Sequence, residues 1–360
     1  LQLPPPIHGA SVINSQVISS KLLNSQFELG IINLKFSKSI HGLKVFSLTK
    51  VIKSLIYCFT IINRMITFRP KLVYFNLSTR GFAFYRDTLY VLLLKLFNSK
   101  IALHLHTKGI KHYAQNNLIK KFLFTLVFKN TAAICLSDIL ATDIETVYKR
   151  RPCIVPNGIS LKTELNNKTN KIPNSIPQIL YVSNYTQSKG ILILIEALAI
   201  LKQSGFKFQA RLVGAAADLT IADIERLIKA NHLDLCTKAI GPLFNDEKLQ
   251  EFENADIFAF PTYNDAFPLV ILEAMLFGLP IISTLEGSIP DIVSNNETGY
   301  LVETENPEKI ADKLSILLLD PEKRIAMGKR GFERYQQNFT RNHFELNMLK
   351  TFNEILDKGN

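Results

Sequence analysis

From residue 177 onward, short apolar runs alternate with segments whose apolar positions recur at the helical period. The pattern predicts strands at 178–183, 208–213, 239–243, 256–261 and 280–283, with helices at 190–203, 221–230, 246–254 and 269–277. Strands separated by one helix length require crossover connections, which are right-handed and give a parallel sheet. The first half shows the same alternation, with strands predicted at 27–34, 71–77, 100–105, 132–136 and 153–156. Both halves therefore read as α/β, each a Rossmann-like, doubly wound parallel sheet. Residues 161–177, rich in Asn, Lys and Thr, lack periodicity and read as a linker between domains at 1–160 and 178–340. Residues 321–358 are helical by pattern with no strand to alternate with, and the last helix, 341–358, reads as returning to the first domain. Ligands of open α/β sheets lie beyond the carboxyl ends of the strands. Two facing sheets would thus define a cleft, and the turns after the strands are where function is sought.

Length and composition fit this picture: 360 residues, 47% apolar and 20% charged, are enough for two domains with real cores. Cys58, Cys135, Cys153 and Cys236 are scattered without a CxxC pair, so neither a disulfide framework nor a zinc ribbon is indicated, and a reducing, cytoplasmic compartment fits. Lys95 and Glu196 interrupt the apolar runs at 91–97 and 191–201, far short of the roughly 18 residues of a spanning helix. The chain opens at Leu1 without a methionine, as if partway through a strand, so its true N-terminus is expected to lie upstream.

Charge is uneven along the chain. Residues 1–175 hold 24 Lys and Arg against 6 Asp and Glu, net +18; residues 176–360 hold 18 against 25, net −7, and the two sum to the overall +11. Either the first half faces something anionic, or its lysines are ordinary solvated surface. Nucleic acid is not indicated, because helix-turn-helix, zinc-finger and RNP-like patterns are missing. Helix candidates at 51–68 and 89–97 carry Lys53, Arg64 and Lys95, which suits a peripheral seat on the inner face of the plasma membrane. Their apolar faces are expected to pack on the first sheet, leaving only the basic residues toward lipid.

Three turns carry candidate chemistry. In 262–280 a strand gives way to a helix opening at Leu269, so the helix's free N–H groups and positive end suit a pyrophosphate, with Phe267, Pro268 and Leu269 at that opening. Asp265 before the helix and Glu273 one turn in can flank the same pocket and accept from sugar or ribose hydroxyls; a dipole-complementing acid and a surface Glu are the plainer reading. In 180–190, Lys189 and Gly190 open the next helix, again a diphosphate arrangement, though KG pairs are common. In 103–109, His104 and His106 alternate onto one face of a strand end. A metal pair is conceivable there, but no third ligand follows at suitable spacing. His106 is a candidate for touching sugar or acceptor, and His104 reads as a satisfied interior histidine.

The segment 265–273 resembles the acid, seven residues, acid motif of the family 4 retaining glycosyltransferases (GT-B fold, glycosyl transferases group 1). Residues 284–293 and 298–302 are similar to that family too, and the likeness runs over nearly the whole chain, strongest over 179–302. The resemblance implies the GT-B architecture, a nucleotide-sugar donor linked to UDP or GDP, no metal and no cofactor. It implies that Glu273 binds the ribose, that Asp265, where the family usually has Glu, contacts the donor sugar, and that Lys189 meets the donor phosphates. Asn184 stands where the family carries an Arg on those phosphates. Glu286 matches a loop close to the donor, and Gly9, within residues 4–11, resembles the glycine-containing first loop near the reaction centre. Residues 155–159 resemble the closing strand before the linker, where Asn157-Gly158 is also explained as a plain turn.

The implied activity is transfer of a sugar, with retention, to a glycan or lipid-linked acceptor in cell-surface polysaccharide synthesis. Front-face attack, in which the leaving phosphate helps take the acceptor proton, is the implied mechanism; no carboxylate is placed as a nucleophile. His106, Lys189 and Asp265 are the expected catalytic groups. Two other classes remain open: a catalytically silent nucleotide-sugar-binding subunit, suggested by Asn184 and Asp265, and a nucleotide-sugar epimerase of the same fold.

Overall fold

The computed structural model describes residues 1–6, 8–36, 47–160 and 174–357. They form two units: unit 1 is Leu1–Gly158 with Arg341–Asn360, and unit 2 is Ile159–Thr340. Most of the linker predicted at 161–177 lies outside the described residues; at its end, the Asn174 side chain donates to Asp256 Oδ2 at 2.6 Å.

Unit 1 begins with α1 (Gly9–Ser19), α2 (Lys21–Gln26) and α3 (Leu48–Thr67). It continues through β1 (Leu72–Asn76), α4 (Gly81–Leu94), β2 (Lys100–His104), α5 (Ile110–Asn116), α6 (Leu118–Phe128), β3 (Ala132–Cys135), α7 (Asp138–Ala141) and β4 (Cys153–Ile154). The strands lie in the order β1-β2-β3-β4, all pairs parallel. Burial on the sheet comes from large rings: Phe84 and Phe124, with centroids 4.2 Å apart, bring α4 and α6 together, and Phe75 meets Tyr90 at 6.5 Å. Each such side chain contributes about 1.5–3 kcal/mol by leaving water.

Two expectations fail in this unit. Residues 27–34 do not form a strand. They bond instead to the first residues: Leu1 donates to Ile32 O at 3.0 Å, and Leu34 N donates to Leu1 O at 2.7 Å. That partner runs at once into Pro4-Pro5-Pro6, which has no N–H groups to extend a ladder. The second failure is α3, expected to turn its apolar side to the sheet. Ile61 and Met65 do so, but Leu55, Ile56 and Phe59 point to solvent.

Unit 2 follows as β5 (Gln178–Val182), α8 (Ile191–Gln203), β6 (Gln209–Val213), α9 (Ile221–Ala230), β7 (Thr237–Gly241), α10 (Asn245–Asn254), β8 (Ile257–Phe260), α11 (Leu269–Leu276), β9 (Ile281–Thr284), α12 (Ile289–Ile292), β10 (Gly299–Val302), α13 (Pro307–Leu319) and α14 (Pro321–Asn338). Its strands are buried on both faces, which is why they read as nearly continuous apolar runs. Helix boundaries follow local chemistry: Thr220 and Asp223 form a capping box that starts α9, and Asp320 caps α14. The sheet is parallel in the order β10-β9-β8-β5-β6-β7. From β5 the chain winds one way to β7, then returns to β8 on the other side of β5. The turns after β5 and β8 therefore diverge at the switch point of the sheet, the place where such folds leave a crevice.

α15 (Arg341–Asp357) belongs to unit 1. Phe352 packs edge-on against Phe27 and Tyr74, at 5.9 and 5.6 Å, and Lys100 Nζ donates to Leu356 O at 2.8 Å.

Candidate functional site

At the switch point of unit 2, the turn after β5 lies against the turn after β8. Tyr263 N and Thr262 Oγ1 both donate to Ser188 O at 3.0 Å. So close an approach requires Gly190: its φ is +78°, and a Cβ there would stand 2.0 Å from Pro261 O. With the turns locked, Lys189 Nζ reaches Asp265 Oδ2 at 2.5 Å and Asn264 O at 3.2 Å. The backbone of Asp265 is held from the third turn, its N–H donating to Glu286 Oε1 at 2.9 Å. Gly287 has φ +54°, and a Cβ there would stand 2.2 Å from Asp265 O, so this contact too is open only to glycine. Ser288 Oγ donates to Ala266 O at 2.6 Å and seals the same pair of loops.

α11 opens at Leu269 with no side-chain cap and no acid in its first turn, which leaves its positive end to an anion. Pro268 is buried, and the Phe267 ring turns into the unit, edge-on to Phe339 at 6.3 Å, so what Phe267 offers a ligand is main chain. Glu273, in the second turn, receives Lys248 Nζ on both carboxylate oxygens, at 2.8 and 2.6 Å. Lys248 comes from α10 and also sits 5.8 Å from the Phe252 ring centre. The structure thus brings Lys189, Asp265 and Glu286 together, with Glu273 farther along α11. Asn184 is exposed at the start of the β5 turn, and no hydrogen bond joins its side chain to the Lys189–Asp265 pair.

Unit 1 gathers imidazoles beyond its second strand. The rings of His104 and His106 lie 4.1 Å apart, as the alternation of β2 predicts. His104 Nδ1 and Tyr74 OH share a hydrogen bond at 2.6 Å. His8 precedes α1 as its cap, accepting from Ser11 N at 3.3 Å, and Gly9 follows, exposed, with open space where a Cβ would be. Nε2 of His8, of His104 and of His106 is buried with no hydrogen-bond partner, so His104 is not the satisfied interior histidine expected of it. Burial, then the neighbouring His106, lowers the pKa of His104; burial, then His8, takes His106 down to about 3, and burial lowers His8. All three rings are therefore neutral at pH 7. The loop after His106 is pinned by Asp143, whose carboxylate accepts from Gly109, Ile110 and Lys111 N–H at 2.8, 2.9 and 3.1 Å. Among the described residues no group of three or more His, Cys, Asp or Glu could hold a metal ion.

Lys248 and Asp143 escaped the sequence reading. A lysine on a polar helix looks like solvated surface, and an Asp more than thirty residues from the loop it caps has no local signature.

Residues 162–334 match the model of glycosyl transferases group 1. That match covers nearly the whole of unit 2. D-inositol 3-phosphate glycosyltransferase of Corynebacterium jeikeium is 33% identical to the chain over 48% of the chain and 42% of the relative. The capsular polysaccharide biosynthesis glycosyltransferase CapM of Staphylococcus aureus is 25% identical over 61% of the chain and 62% of its own length. The chain spans about half the length of these curated relatives. Solved structures extend the agreement to both units. Sucrose-phosphate synthase from Thermosynechococcus elongatus superposes with a TM-score of 0.75 at 21% identity, covering 97% of this chain and 94% of that one. HepE of Anabaena, solved with UDP-glucose, does so at 0.65 and 18%, covering 84% and 82%. These likenesses fix the fold as GT-B, built here from two Rossmann-like units, each with a parallel sheet.

Proposed function

We propose that the protein is a retaining glycosyltransferase that moves a sugar from a UDP- or GDP-linked donor to a glycan or lipid-linked acceptor in cell-surface polysaccharide synthesis. The observation that carries this reading is the Lys189–Asp265 pair at the switch point, 2.5 Å long and beside the uncapped opening of α11. A diphosphate entering there would take the Lys189 ammonium from Asp265 and rest on the free N–H groups of α11. The freed Asp265 carboxylate would then accept from a donor-sugar hydroxyl, and Glu273 from the ribose diol. Lys189 and the helix end would neutralise the charge that develops on the departing diphosphate, without a metal ion. The acceptor oxygen attacks from the side that the leaving phosphate vacates, and that phosphate takes the proton. His106, neutral and with an unpaired Nε2, would meet a sugar hydroxyl from unit 1. The UDP-glucose bound by HepE and the polysaccharide roles named for CapM and for the colanic acid glycosyltransferase WcaL of Escherichia coli support the substrate classes.

The test is slow donor hydrolysis. Incubated with a panel of UDP- and GDP-sugars and no acceptor, the enzyme should release free nucleotide and a sugar of unchanged anomeric configuration, and exhaustive EDTA treatment should leave the rate intact. Donor binding without any release would make it a silent binding subunit. Release of an epimerised sugar would make it an epimerase, and loss on chelation with rescue by Mg²⁺ would overturn the metal-free site.

A further inference from the structure

Three neighbouring helices of unit 1 turn large apolar side chains away from the protein. α3 packs on α4, and α4 on α6. Their inner faces supply the core through Ile61, Met65, Phe84 and Phe124. Their outer faces expose Leu55, Ile56 and Phe59 on α3, Leu89 on α4, and Leu118 and Phe122 on α6; Phe59, Leu118 and Phe122 are 74%, 81% and 66% exposed. In unit 2 the exposed large apolar residues are scattered, as Leu235, Phe244, Leu285 and Leu319 on separate segments, which is ordinary for a protein surface. Outward apolar stripes on adjacent helices are not ordinary.

Charge identifies what covers them. Residues 47–129, which contain all three helices, hold 14 Lys and Arg and a single acid, Asp87. That acid is buried and paired with Arg86 at 2.6 Å, so this stretch presents no carboxylate at the surface. Lys53 and Arg64 are exposed on α3, and Lys121 lies beside Phe122 on α6. Aliphatic and phenyl groups set among ammonium and guanidinium groups match the interface of an anionic bilayer, where acyl chains receive the first and headgroups the second. A second copy of the chain would bring like charge against like, and nucleic acid would leave the aliphatic side chains without a partner. No described helix is long and apolar enough to cross a membrane, so the contact would lie along the surface.

We propose that the outer face of α3, α4 and α6 is a docking surface that inserts its apolar side chains into the interface of an anionic lipid bilayer. This deepens the acceptor half of the proposed function, since a lipid-linked glycan is presented at such a surface.

The experiment is co-sedimentation of the full chain with vesicles of phosphatidylcholine alone and of phosphatidylcholine with phosphatidylglycerol. The wild type should bind the anionic vesicles, bind more weakly as salt is raised, and bind neutral vesicles least. A Phe59→Ser/Phe122→Ser double variant should lose about tenfold or more of the partitioning to anionic vesicles. It should keep UDP or GDP binding, which shows that it is folded. Unchanged partitioning in that variant, or no partitioning of the wild type, overturns the surface. So does a wild-type dimer, seen by analytical ultracentrifugation, that the double variant abolishes without any vesicle binding. Because nucleotide binding and donor hydrolysis are read in solution, their failure would strike the proposed transferase and leave the docking surface standing, and the reverse also holds.

Discussion

In unit 2, Lys189, Asp265, Lys248 and Glu273 have each found an opposite charge within the unit; in unit 1, three imidazole nitrogens near the strand ends have found nothing. The two arrangements have different costs. Lys189 and Asp265 keep 27% and 18% of their side-chain surface, and a pair that wet is worth little, so a diphosphate can exchange into it at small cost. A buried polar atom without a partner costs about 1–3 kcal/mol, and protonating it in place costs more. Unit 2 therefore holds its candidate site ready by partner exchange. The other unit holds neutral groups that gain from any hydroxyl offered to them.

The comparison breaks most visibly at Lys189. Lys189→Ala should lower kcat/KM by about 2–4 kcal/mol in transition-state terms, a loss on the order of 30- to 1,000-fold, while Glu273→Gln should act mainly on nucleotide affinity. Steady-state kinetics and calorimetry with UDP and GDP separate the two; wild-type kinetics in either variant removes that residue from the site.

Acid tests unit 1 next. The folded pKa of His104 and of His106 lies below the unfolded value near 6.5, so between these values the unfolded chain binds more protons. Stability is complete above about pH 6.5 and falls as pH drops toward the folded values, about 3 for His106. The slope is about 1.4 kcal/mol per pH unit for each ring. Hydrogen exchange in β2 peptides should accelerate between pH 7 and 5 after correction for the intrinsic rate, and His106→Gln should flatten that dependence. An equal acid response in β5 peptides would erase the contrast.

The smallest effect is expected at Lys248. The Lys248–Glu273 pair is also partly exposed, so Lys248→Met should weaken UDP binding only about fivefold, or about 1 kcal/mol. The sharper readout is selectivity: if Lys248 holds the Glu273 carboxylate for a ribose diol, the variant should lose preference for UDP over 2′-deoxy-UDP. An unchanged ratio would reduce Lys248 to a surface charge.

The fold was legible where the apolar period changes abruptly. α9 begins and ends where the pattern puts it, because Thr220 and Asp223 are a local start signal, whereas β7 lies two residues earlier than predicted because its ladder partner sets its register. In the site, Asp265, Glu273 and Lys189 were legible because their motifs sit at strand ends. Glu286 was legible from its loop, but the partner Lys248 depends on which elements become neighbours, and that is decided by the crossing from β7 to β8 that carries α10. The outward apolar face of α3 was illegible for a different reason: periodicity shows that a stripe exists, not which side of a doubly apolar helix meets the core.

The return of α15 to unit 1 gives the two units different histories during synthesis. Unit 2 is one continuous stretch, and all of it has left the ribosome before Arg341 emerges. Unit 1 starts first and finishes last, for Phe352 must reach Tyr74 across the whole of the intervening unit. A nascent chain held with residue 340 just outside the ribosome would carry a complete unit 2 and a unit 1 whose Phe27 and Tyr74 still lack their aromatic cover. The first half of the message is thus the half that waits, and it is also the half whose helices expose apolar surface to whatever lies nearby.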